Sequence, residues 1–372
     1  MEGDTDEREG RVRVPQIQGC DAFRVAMPRG RRPESVLVRL TGQDDVVGWG
    51  EAAVTARGPG GGGGGAAGDV WADIEERMGP ALIGLDLERP EDVSAAAELG
   101  CAGAASAIDM ACWDLWCRSR GEPLAHALGG TRTSIVTGAR ITPEPLLETV
   151  VTRANQAVGA GHTRVTVDVR PGWDIEPVRL IRQAFPALAV VADAGHAYRE
   201  TPEHLAVMEA LDGYGLLAIA RPFPGEDLAA HARLQRLVGT ALAPGIGDLD
   251  TLDAAISREA GRVLELGVAG MGGLTAARAA HDLAYAAGWD VWCTGTGAFG
   301  IGQAAAVALA SLPGVTLPSE VSDPAGGPAF VSPPVRSSGG VVGVPYTQPG
   351  LGHEIDEARI ERLASRRLRI PA

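Results

Sequence analysis

Apolar and polar residues alternate along Thr163-Arg-Val-Thr-Val-Asp-Val-Arg170, with Val165, Val167 and Val169 on one face and Arg164, Thr166, Asp168 and Arg170 on the other. A period of two predicts a strand. Its apolar back suits a strand covered by helices, so the polar face would look into a barrel and Thr166 and Asp168 would point inward. Short apolar stretches recur near 134–141, 188–193, 215–220, 240–244, 262–267, 290–294 and 314–318, separated by segments of helical character. Eight strands alternating with helices predict a barrel. In Arg262-Val-Leu-Glu-Leu-Gly-Val268 the same parity turns Leu264 and Leu266 toward the helices and Glu265 and Gly267 toward the interior.

The pattern differs on either side of this array. Residues 11 to 54 alternate as in Ser35-Val-Leu-Val-Arg-Leu40, which predicts an antiparallel sheet, and Val70 to Leu128 are helical, including Ala104-Ala-Ser-Ala-Ile-Asp-Met-Ala-Cys-Trp-Asp-Leu-Trp-Cys117. The expected organisation is an α/β protein: a modified (β/α)8 TIM-type barrel over 131–335, with an α+β capping domain over 1–130 completed by 336–372. The arginine-rich stretch Arg359 to Arg369 is interleaved with Glu361, Leu363 and Leu368 and reads as a final helix and strand. Six consecutive glycines, Gly60 to Gly65, cannot hold one conformation cheaply.

The 372 residues accommodate a barrel of roughly 250 residues plus a second unit of about 100. No apolar run approaches the roughly 18 residues of a membrane helix, and a net charge of -14 disfavours a nucleic-acid surface. The acidic start Met-Glu-Gly-Asp-Thr-Asp-Glu-Arg-Glu lacks the order of a secretory signal, so a cytoplasmic protein without membrane or nucleic-acid partners is expected. Cys20, Cys101, Cys112, Cys117 and Cys293 show no metal-like spacing and are expected to be reduced. All 33 basic residues are arginine, which excludes a Schiff-base lysine, a P-loop lysine and any lysine acid-base pair. The Ala, Gly and Arg bias suggests a GC-rich genome such as an actinobacterium.

Several motifs resemble the enolase superfamily, in particular the o-succinylbenzoate synthase and N-acylamino-acid racemase branch of its muconate-lactonizing-enzyme-like subgroup. They include Trp49-Gly-Glu51, Glu122-Pro-Leu-Ala-His-Ala-Leu-Gly-Gly130, Pro171-Gly-Trp-Asp174, Asp174-Ile-Glu-Pro-Val-Arg179, Tyr214-Gly-Leu-Leu217, Val291-Trp-Cys293, Ala308-Leu-Ala-Ser-Leu-Pro-Gly314 and the return segment Gly339 to Gly352. The resemblance covers nearly the whole chain. It implies the fold above, a homo-oligomer, a small-molecule substrate and a loop near Gly60 to Gly65 that closes over the pocket; a tolerated linker is the alternative for that loop. It also implies removal of a proton alpha to a carboxylate, with lysines moving protons and three acids on successive strands holding a divalent metal.

At the matching positions this sequence departs from that apparatus. Thr166 and Asp168 stand at the lysines of the second strand, and Gly267 at that of the sixth. Asp193, in Val191-Ala-Asp-Ala-Gly-His-Ala-Tyr198, retains the first metal position, while Ala220 and Gly245 occupy the others and Ala298 falls near the glutamate of the seventh strand. Two readings follow. One is a metal-independent lyase, isomerase or cyclase without a cofactor, acting by acid-base proton transfer on a small carboxylate- or amide-containing intermediate of specialised metabolism. Its candidate catalytic residues are Asp168, Asp193, Glu265 and His196, and its candidate substrate contacts Arg140, Thr166, Arg221, Thr294 and Thr296. The other is a catalytically silent pseudoenzyme binding a ligand or partner. Under either, the chain is expected to be neither a magnesium-dependent racemase nor an o-succinylbenzoate synthase. Two neighbouring acids, Asp168 and Asp193, would raise the pKa of one. Arg221 follows the inward Ala220, and parity turns it away from the interior.

Overall fold

The computed structural model describes residues 14–26, 34–54, 67–143, 146–295, 297–322 and 330–371. The glycine run at Gly60 to Gly65 and Thr296 lie outside them. Five parallel strands pair in chain order: Gly138–Ile141, Arg164–Asp168, Ala189–Asp193, Ala218–Ala220 and Leu242–Ala243. Val263–Gly267 and Asp290–Thr294 form a second parallel pair. The Arg262 amide donates to the Leu242 carbonyl at 3.0 Å and joins the two groups.

Closure comes from residues 317–320. Leu317 N and Glu320 N donate to Val291 O and Cys293 O at 3.0 and 2.8 Å, while Ser319 N donates to Val136 O and Gly138 N to Ser319 O, each at 2.9 Å. The eighth strand expected near 314–318 is therefore displaced and reduced to isolated bridges. Pro318 has no N–H to extend a ladder, which keeps this wall short.

The strand parity read from the sequence follows the core. Val165 and Val167 are buried with Val150 and Ala154 of the helix Leu147–Gly159 and Val178 and Ile181 of the helix Ile175–Ala184. Each such aliphatic side chain contributes roughly 1.5–3 kcal/mol by leaving water. Leu264 and Leu266 likewise face the helices.

A second layer is built on the antiparallel strands Ile17–Ala26, Glu34–Gly42 and Val47–Val54, with Ala364–Pro371 paired against the first. The last of these follows the helix Glu357–Leu363, so the arginine-rich end forms a helix and a strand. The helix Ala102–Arg120 crosses the sheet at Gly50, where a Cβ would overlap the Ala107 carbonyl. Among the described residues no helix is long and apolar enough to cross a membrane.

Glu51, next to Gly50 and pointing to the opposite face, joins this layer to the barrel. Its Oε1 accepts from Ser35 Oγ at 2.7 Å and Phe299 N at 2.8 Å, and its Oε2 accepts from Gly302 N at 2.8 Å. The two amides belong to the start of the helix Gly300–Ala310, whose first N–H groups have no partner within the helix. The carboxylate also lies at the positive end of that helix. Glu51 is 1% exposed, and burial raises its pKa despite these three donors. Replacing it by alanine orphans two buried amides at roughly 1–2 kcal/mol each, so Glu51→Ala is expected to lower unfolding stability by about 2–4 kcal/mol in urea denaturation. An unchanged midpoint would show that this contact does not join the layers.

Candidate active site

The ladder that aligns Arg164–Asp168 with Ala189–Asp193 sets Asp168 opposite Asp193 at the carboxyl ends of their strands. Arg140, aligned with Thr166 on the preceding strand, reaches both acids. Its Nη1 donates to Asp168 Oδ1 at 2.8 Å and to Asp193 Oδ2 at 2.7 Å, and its Nη2 also bonds Asp193. Arg221 closes from the other side, with Nε donating to Asp193 Oδ1 at 3.0 Å and Nη2 bonding the second oxygen. The Gly195 amide donates to Asp193 Oδ1 as well, at 3.0 Å.

Arg140 bridges the two acids, which tempers their repulsion without removing it. Asp193 is 2% exposed, and burial alone would favour its neutral form; Arg140, Arg221 and the amide outweigh it and hold the carboxyl below the ordinary aspartate value. Asp168 moves oppositely. Burial, reinforced by Asp193 and opposed by Arg140, pushes it up to about 6.

Parity misplaced Arg221. Its φ of 49° is in the left-handed region, and that turn swings the side chain from the helix face to the interior. There its Nε lies 3.7 Å from Glu265 Oε2, so Glu265 has a counter-charge. Burial raises the Glu265 pKa, Arg221 works against it, and Asp193 adds to the rise.

Beneath this group lies a second buried set. Arg164, fully buried, donates to Glu320 Oε1 at 2.5 Å and Thr166 Oγ1 at 2.7 Å, bonds the Pro318 carbonyl, and lies 4.6 Å from the Trp292 ring centre. Thr166 Oγ1 donates to Glu320 at 2.5 Å. Thr166 is thus inward as expected, but committed to these partners and 2% exposed, which leaves no surface for substrate.

Above them opens a cavity of about 730 Å³, within the range of small-molecule sites. Arg140, His196, Arg221, Glu265 and Thr294 line it, together with Glu51 from the antiparallel layer; Asp168, Asp193 and Thr166 do not. The sequence reading overlooked Glu320, Arg164 and the role of Glu51. Placing the last strand at 317–320 would have set Glu320 at a strand end, and Arg164 already shared the inward face of Thr166.

The residues at the positions that the resemblance assigns to a metal do not fit a divalent cation. Both oxygens of Asp193 are engaged by guanidinium groups, and Ala220 and Gly245 offer no side-chain donor. Among the described residues no group of three or more His, Cys, Asp or Glu could hold a metal.

Residues 11–129 match the family model of the mandelate racemase / muconate lactonizing enzyme N-terminal domain, and residues 149–359 match the enolase C-terminal domain-like model. The chain is 32% identical over 357 residues to an o-succinylbenzoate synthase of Geobacillus stearothermophilus, covering 94% of each chain. It is 34% identical over 253 residues to an N-succinylamino acid racemase of Thermus thermophilus, covering 67% of this chain and 68% of the other. A crystal structure of an unknown member of the enolase superfamily from Enterococcus faecalis superposes with a TM-score of 0.86 at 25% identity, covering 96% of this chain and all of that one. These relatives overturn the expectation that the chain stands outside the racemase and o-succinylbenzoate synthase activities, because identity of this order over most of the chain points to them. That expectation rested on Thr166, Asp168, Ala220, Gly245 and Gly267 standing at positions that the resemblance assigns to lysines and metal ligands.

Removing Asp193 takes from two guanidinium groups the buried carboxylate that they share. Asp193→Ala is expected to destabilise the protein by about 3–5 kcal/mol in chemical denaturation, whereas Asp168→Asn, which leaves Arg140 bound to Asp193, costs less. Equal losses would refute the central place of Asp193.

Proposed function

We propose, from the premise that this chain belongs to the enolase superfamily, that it is a proton-transfer enzyme of the racemase or lyase kind. Its substrate is a small carboxylate of the class for which its relatives are named, an N-succinylamino acid or the precursor of o-succinylbenzoate. The supporting observation is the pair Arg140 and Arg221, held on the cavity wall by one buried carboxylate.

In this reading the substrate carboxylate lies against Arg140 and Arg221. When the proton alpha to it leaves, charge gathers on the carboxylate oxygens, facing cations whose orientation Asp193 has already set. This preorganised pair provides the electrostatic stabilisation, so turnover is metal-independent. Glu265, whose pKa burial raises, lines the same wall and supplies or accepts a proton at the reacting centre. Asp168 and Asp193 act through the arginines as positioning residues.

The test is deuterium incorporation at the alpha carbon of N-succinyl-phenylalanine and dehydration of the o-succinylbenzoate precursor, each with and without a chelator. Turnover that survives the chelator is expected, and Arg221→Gln is expected to lower kcat/KM by about 10²- to 10³-fold. Binding of either compound without exchange or dehydration would replace this reading with a ligand-binding protein. Abolition by the chelator would return the electrostatic role to a metal.

A further inference from the structure

His196 stands just beyond the strand Ala189–Asp193, between that strand and the cavity. It is a non-glycine residue with φ of 62°, directly after Gly195 at φ of 54°, so the chain reverses as it leaves the strand. The turn is anchored by bonds from His196 N to Arg221 O at 2.7 Å and from Ala194 N to Ala220 O at 2.8 Å. It carries the imidazole across the barrel mouth to Gly245. A Cβ at Gly245 would overlap His196 Cε1 and come within 2.6 Å of Nε2, so the ring occupies the space a side chain there would fill.

The ring's orientation is fixed by Nδ1, 2.6 Å from the Phe223 carbonyl oxygen. A carbonyl only accepts, so Nδ1 carries the proton, and in the neutral ring Nε2 holds the lone pair. Burial lowers the His196 pKa below 6.5, reinforced by Arg221, and favours that neutral form. Among the described residues Nε2 has no hydrogen-bond partner. His196, Gly245, Arg221 and Glu265 border one cavity.

The geometry points to His196 Nε2 as the proton acceptor of the reaction and to Gly245 as the positioning residue that makes room for it. This rests on the proton-transfer reading above. In the step, the bond from the alpha carbon to hydrogen breaks, the proton passes to Nε2, and the electron pair moves onto the substrate carboxylate facing Arg140 and Arg221. Reprotonation of the carbon, or loss of a leaving group, completes the turnover. Gly245 thus leaves room for a base arriving from another strand.

The test uses deuterium exchange into N-succinyl-phenylalanine by the full chain. His196→Gln is expected to lower kcat by about 10²- to 10⁴-fold with KM little changed. Gly245→Ala should give a similar loss in kcat, and the double variant no further loss, because both changes remove the same group. Independently of activity, long-range proton–nitrogen NMR should show the His196 ring with its proton on Nδ1 at neutral pH in the parent, and a changed signature in Gly245→Ala. Exchange by the parent that persists in His196→Gln overturns this assignment and leaves the proposed function standing; exchange absent from the parent overturns both. A proton on Nε2, or an unchanged His196 signal in Gly245→Ala, also overturns it.

Discussion

One buried carboxylate organises the site. Asp193 is nearly inaccessible, yet it is ionised because two guanidinium groups and a backbone amide converge on it. Burying a charge without partners costs several kcal/mol, so the acid and the arginines are mutually dependent. Arg140 comes from one strand and Arg221 from the end of another, with Asp193 on one of the two strands between them. The ion cluster therefore laces three walls of the barrel at the level where a ligand would arrive.

Two further polar contacts complete that frame. Arg164, Thr166 and Glu320 fill the interior beneath the cavity, joining the second strand to the closing segment 317–320, which is too short for a full ladder. Side-chain bonds thus reinforce the barrel where backbone pairing is sparse. Glu51 does the same between layers by capping a barrel helix from the antiparallel sheet, and it contributes to the cavity wall. Cap, barrel closure and binding surface are coupled through a few charged groups.

Small residues at the strand ends shape this site as much as the charged ones do. Ala220 and Gly245 cannot bind a cation, but small residues there leave the barrel mouth open to Arg221 and His196, whose left-handed backbone turns bring them inward. Positive charge comes from guanidinium groups, and the His196 imidazole fills the space that a side chain at Gly245 would take. Family membership and an altered set of side chains are compatible, because the barrel holds the positions while the strand ends determine the chemistry.

The amino-acid sequence by itself determined the strand array and the direction of most side chains along it. Alternation in Arg164–Asp168 and Val263–Gly267 encodes which residues meet helices and which face inward, since successive side chains on a strand point oppositely whatever surrounds them. It could not determine what Asp193 touches. Parity assigns a side to each residue but no partner on another strand, and Arg140 meets Asp168 and Asp193 only because the barrel brings separate segments into register. It also fails where φ becomes positive, as at Arg221 and His196, because a left-handed residue breaks the alternation on which it rests. Glu320 escaped notice for a related reason: the closing segment pairs too briefly to carry a strand pattern, and Pro318 interrupts what remains. Convergence of charges from distant segments is a property of the closed barrel, and only the tertiary structure decides it.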